Sequence, residues 1–101
     1  MNREAMSVEA IDARVKDLKG WSHKAGKLKK NFIFDDFTEA FAFMTQMAIK
    51  AEKIDHHPEW FNVYNKLDVD LATHDPKGIS ELDFFLAEQM NEIESHKLKK
   101  S

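Results

Sequence analysis

Apolar residues recur along this chain at two different spacings, and each change of spacing marks a boundary between elements. From Ser7 to Leu18, the residues Val8, Ile11, Val15 and Leu18 fall on one helical face, with Ser7 placed to cap its start and Gly20 near its close. Between Trp21 and Phe34 the spacing shortens. Gly26 predicts a turn there, and Leu28, Phe32 and Phe34 share one parity of a strand, so a hairpin is expected even though Lys30 breaks its alternation. The strongest helical pattern runs from Phe37 to Ile54, opened by Asp36 and Glu39 at capping-box spacing. Its broad apolar stripe, Phe37, Ala40, Phe41, Met44, Met47, Ala48 and Ala51, is expected to pack in the core. Pro58 disfavours helical geometry at His57, so this helix should end just before His56 and His57.

Two strands are predicted next. Trp60 to Tyr64 is aromatic and β-branched, Asn65-Lys66 fits a tight turn, and Leu67 to Thr73 alternates, with Asp68 and Asp70 facing away from Leu67, Val69, Leu71 and Thr73. Pro76 and Gly78 predict a turn, after which Ser80 and Asp83 can cap a last helix that buries Leu82, Phe85, Leu86, Met90 and Ile93. The order is α-β-β-α-β-β-α. It predicts an α+β fold: a single four-stranded antiparallel sheet with three helices on one face, forming one domain across residues 1–101. The uncovered face and the exposed strand edges then call for self-association, as a homodimer or homotetramer.

Composition narrows the partners. The chain has 101 residues, 43% of them hydrophobic, which suits one globular core. No apolar run approaches the ~20 residues of a membrane span, and Met1 to Val15 has no apolar signal segment. There is no cysteine, which removes disulfides, thiolate chemistry and thiolate-rich zinc sites, and a cytoplasmic location is expected. A net charge of −3 argues against direct nucleic-acid binding. The lysine groups, Lys27, Lys29 and Lys30 and then Lys97, Lys99 and Lys100, are expected to be solvated surface, with nuclear entry left open by the tail.

Candidate chemistry centres on His56, His57 and His74, all at predicted element ends, where side chains converge on clefts. His23 and His96 lie in polar surroundings and are expected to be ordinary surface. Asp55, Asp75 and Glu52 supply nearby carboxylates that could orient imidazoles. A metal site is disfavoured, since His-Glu-x-x-His spacing is absent and adjacent residues of an extended chain point apart. No Gly-x-Ser-x-Gly elbow or glycine-rich phosphate loop is present. What remains is cofactor-free acid–base catalysis, which supplies ~10²–10⁴-fold and suits an easy step such as loss of water from a carbinolamine.

The run Glu52-Lys53-Ile54-Asp55-His56-His57-Pro58-Glu59-Trp60-Phe61-Asn62-Val63-Tyr64-Asn65 resembles the signature of the pterin-4a-carbinolamine dehydratases. Leu71-Ala72-Thr73-His74-Asp75 and Gly78 continue it, and Phe37 to Met47 and the final helix are similar too, so the likeness spans most of the chain. The resemblance implies dehydration of 4a-hydroxytetrahydrobiopterin to quinonoid dihydropterin, recycling tetrahydrobiopterin, with no metal or other cofactor. It places catalysis on His56, His57 and His74, with His56 and His74 as the acid–base pair and His57 chiefly holding the pterin. Asp55, Thr73, Asp75 and the backbone at Ala72 would line the pocket. Trp21 would stack on the ring, or else is a half-buried strand tryptophan; Glu52 would support the site, or else is solvated helix surface. Relatives often carry an arginine before the aspartate at Asp83, where this chain has Leu82, so Asp83 either supports the site or simply caps its helix. Some relatives also act as dimerisation partners of a homeodomain transcription factor, which gives the alternative reading of a binding module.

Overall fold

The computed structural model describes residues 1–96. Its elements are α1 (Val8–Val15), β1 (Ser22–Lys24), β2 (Lys27–Ile33), α2 (Phe37–Lys53), β3 (Glu59–Val63), β4 (Lys66–Leu71), β5 (Thr73–His74), β6 (Lys77–Gly78) and α3 (Glu81–His96). The expected α-β-β-α-β-β-α order stands, with β5 and β6 added as a two-stranded hairpin between β4 and α3. The four-stranded antiparallel sheet has the order β1-β2-β4-β3, leaving β1 and β3 as edges. Lys97, Lys99 and Lys100, expected as solvated surface, lie outside the described residues.

Register explains which sheet face is covered. Phe32 pairs with Leu67 and Leu28 with Leu71, and all four are buried under the helices. The opposite face carries the rows Lys29–Asp70–Glu59, Asn31–Asp68–Phe61 and Ile33–Lys66–Val63. Charged pairs cover part of it, yet Ile33, Phe61 and Val63 stay exposed. Lys30, which broke the strand pattern, sits on the covered side. Its stem runs past Phe32, with Nζ 4.6 Å from the ring centroid, and its ammonium reaches Asn91 Oδ1 at 2.7 Å and Glu94 Oε1 at 3.1 Å. A long side chain that delivers its charge to the rim is compatible with an inward position.

Helix starts follow the expected chemistry. Ser7 accepts the amide of Ala10, and Asp36 accepts that of Glu39 while Glu39 reaches back to the amide of Asp35. In α2 the buried face keeps Ala40, Met47 and Ala51 of the expected stripe, with Met44 partly covered, but turns Phe43 inward in place of Phe37 and Phe41. Ala40, Phe43, Met47 and Ala51 face the core, where the Phe43 ring lies 5.0 Å from those of both Phe32 and Phe34. Phe37 and Phe41 are exposed and pack on each other at 5.8 Å, and Ala48 is exposed as well. Similarly, α3 buries Phe84, whereas Phe85 and Ile93 are only partly covered. The β3–β4 turn falls at Tyr64-Asn65 rather than Asn65-Lys66, with Tyr64 in the left-handed region at φ +52°. Gly78 is required where it stands: its φ is +146°, and an added Cβ would come within 2.9 Å of the Ala5 methyl.

Candidate active site

The end of α2 sets the two adjacent histidines apart. The amide of Asp55 donates to the carbonyl of Glu52 and that of His56 to the carbonyl of Ala51, while Asp55 takes φ +51°. These two bonds and the left-handed residue make a Schellman ending, which reverses the chain within a few residues. Aspartate tolerates that conformation better than most residues other than glycine. The reversal sends His56 inward, where it is 6% exposed, and leaves His57 outside.

His56 Nε2 lies 2.5 Å from Oδ1 of Asp83, a fully buried carboxylate in the first turn of α3. Asp83 Oδ2 accepts from the Thr73 hydroxyl and from the Ser80 amide, each at 2.9 Å. The Ser80 hydroxyl lies 2.7 Å from that of Thr73 and accepts the amide of Leu82 at 3.3 Å. Ser80 and Asp83 therefore close the expected helix cap, and the same carboxylate also serves His56. Leu82, which directly precedes Asp83, is buried at 2% exposure and adds no charge.

His74 follows Thr73 directly, so the buried chain from His56 through Asp83 to Thr73 ends one residue from it. A second link runs across the surface: His74 Nε2 lies 3.2 Å from Glu59 Oε2, and Glu59 is in the strand that begins just beyond the histidine pair. Glu59 Oε1 also accepts from Lys27 Nζ at 2.6 Å, and that bond holds the lysine pKa above its ordinary value. His57 Nε2 meets Glu52 Oε1 at 2.8 Å in the open. The structure thus brings His56, His74, Thr73 and Asp83 to one end of the sheet, with His57 and Glu52 at its outer margin. Each of the three imidazoles faces a carboxylate through Nε2.

Other expected residues lie differently. Thr73 is 2% exposed and its hydroxyl is spent on Asp83 and Ser80, so it stands behind the site rather than lining it. Trp21 is a core residue at 6% exposure, edge-on to Phe32, with its indole N–H donated to Asn91 at 3.0 Å. Asp55 and Asp75 are exposed and Ala72 is half-buried. His23 pairs with Asp12 at 2.9 Å, away from this cluster in sequence and partner. Among the described residues, no group of three or more His, Asp or Glu side chains converges as metal ligands would.

Sequence reasoning placed Ser80 only in the helix cap and missed Glu59 and Arg3. The Arg3 guanidinium donates to the carbonyls of Ile54 at 3.3 Å and Asp55 at 2.8 Å, satisfying groups left open at the end of α2. The amide of Met6 donates to the Ile79 carbonyl at 2.8 Å. Residues 3–6 therefore cross from the histidine turn to the end of the β5–β6 hairpin.

The family model for pterin 4 alpha carbinolamine dehydratase matches residues 4–93. The chain belongs to that family. It is 51% identical over 94 residues to a Sinorhizobium medicae protein named "Putative pterin-4-alpha-carbinolamine dehydratase", covering 91% of this chain and 90% of the relative. A Rhizobium etli protein of the same name is 46% identical over 101 residues, covering 98% and 100% of the two chains. A crystal structure described as a transcriptional coactivator/pterin dehydratase from Brucella melitensis superposes with a TM-score of 0.86 at 43% identity, covering 89% of this chain and 98% of that one.

Proposed function

We propose that this chain removes water from 4a-hydroxytetrahydrobiopterin, giving quinonoid dihydropterin and returning the pterin to the tetrahydrobiopterin cycle, by histidine acid–base catalysis in the cytoplasm. The observation that carries this reading is the linkage of His56 to the His74 hairpin through Asp83 and Thr73. One imidazolium protonates the departing hydroxyl at C4a. A neutral imidazole takes the N5 proton, and the N–H electron pair becomes the C4a=N5 bond as water leaves. His57, exposed beside Glu52, suits contact with the pterin more than proton transfer. The chemistry asks for no metal or other cofactor.

The test is a rate assay on chelator-treated protein, where dehydration should persist and the double variant His56→Ala/His74→Ala should lose ~10²–10⁴-fold in kcat. Unchanged kinetics in that variant would end the acid–base reading. Self-association as a homodimer or homotetramer is supported by the exposed Ile33, Phe61 and Val63 on the sheet and by the Phe37–Phe41 pair on α2. The Brucella melitensis neighbour's description favours a second reading, a coactivator-type binding module. Binding of a purified transcription factor, undiminished in the double histidine variant, would support it.

A further inference from the structure

The dehydratase reading leaves open which atom of His56 works, and the polar chain buried behind it assigns one. Each hydroxyl has one proton to give. Thr73 gives its proton to Asp83 Oδ2, so at 2.7 Å from Ser80 it must accept, and Ser80 must donate. Ser80 is free to do so because its own lone pairs take the Leu82 amide. The direction is therefore fixed from Ser80 to Thr73 to Asp83. Oδ2 also receives the Ser80 amide, which can only donate. A carboxylate used throughout as an acceptor needs a donor at Oδ1, and the group there is His56 Nε2.

Nε2–H leaves Nδ1 bare in the neutral ring. The described contacts of His56 include no partner for Nδ1, yet no buried side-chain nitrogen or oxygen among the described residues lacks one. Nδ1 is therefore not fully buried and contributes to the small exposed part of this side chain, which is 7% accessible in all.

We infer that Asp83 locks His56 as the Nε2–H tautomer, that Thr73 and Ser80 are positioning residues acting through Asp83, and that Nδ1 is the nitrogen that exchanges a proton with the pterin. This assignment rests on the dehydratase reading. In the reaction, bare Nδ1 takes the N5 proton, the freed electron pair forms C4a=N5, and the C4a–O bond breaks. The hydroxide leaves as water with a proton from the His74 imidazolium. Solvent then carries one proton from His56 back to His74, which restores both rings.

The decisive measurement is nitrogen-15 NMR of histidine-labelled, ligand-free protein near neutral pH. The Nε2–H form of His56 is expected in the wild type. Asp83→Asn, whose amide can donate to Nε2, should move the ring toward Nδ1–H and lower kcat by ~10²-fold or more with KM little changed. Thr73→Val should mix the tautomers and lower kcat less, with Thr73→Ser restoring both. Predominant Nδ1–H in the wild type overturns the assignment without any variant, and so does an unmoved tautomer in a folded Asp83→Asn protein. Expected tautomers in a wild type that does not dehydrate the carbinolamine would instead sink the dehydratase reading and the proposed proton transfer with it.

Discussion

His56 and His57 are neighbours in sequence with a carboxylate partner each, yet one pair is buried but for an edge of the His56 ring and the other stands in solvent. Glu52 is 81% and His57 55% accessible at the side chain, against 0% for Asp83 and 7% for His56. Water screens the outer pair and leaves it free to move. The inner pair has no such freedom, because the desolvated carboxylate depends on its donors. One residue of chain, turned by the left-handed Asp55, separates a fixed imidazole from an adaptable one.

The sharpest way to break the contrast is to remove each carboxylate. Asp83→Ala removes the acceptor shared by the His56 ring nitrogen, the Thr73 hydroxyl proton and the Ser80 amide, and should cost about 3–5 kcal/mol of stability. Glu52→Ala should cost no more than ~1 kcal/mol. Urea denaturation of both variants checks the pair, and equal losses would erase the distinction. Kinetics sharpen it further. His57→Ala should raise KM with kcat within a few-fold of wild type, the pattern of lost binding rather than lost proton transfer. A kcat loss as large as that of His56→Ala would put both rings in the chemistry.

The smallest effect concerns Glu59, the carboxylate that the third imidazole shares with Lys27. The Glu59 bond raises the Lys27 pKa, so the stability this pair contributes is complete below the free lysine value near 10.5 and fades as pH climbs through the raised one. Thermal melts of Lys27→Met should therefore differ from wild type by a small constant amount from neutral pH to about pH 10 and converge above that. A gap that persists in strong alkali would show that the contact acts by packing instead.

The frame was legible because its signals are local. Capping residues and the Pro58 stop announced α2, and the Leu67–Thr73 alternation announced β4 with its inward Thr73. The buried face of α2 was less so, since Phe37, Phe41 and Phe43 spread apolar area around much of the helix, and only the partners Phe32 and Phe34 decide which ring turns in. Strands of two residues carry no alternation to detect, which hid β5 and β6. The His56–Asp83 contact joins residues 27 apart, beyond any periodic signal. One clue existed: Asp83 is a lone carboxylate within Leu82-Asp83-Phe84-Phe85-Leu86, and a charge in such company needs a dedicated partner.

Arg3 and Met6 tie residues 3–6 down beside the histidine cluster, to Ile54 and Asp55 on one flank and Ile79 on the other. A purification handle or fluorescent fusion joined ahead of them would hang beside the histidine cluster, not at a remote pole. A dye on such an extension should accordingly report when a guest molecule enters.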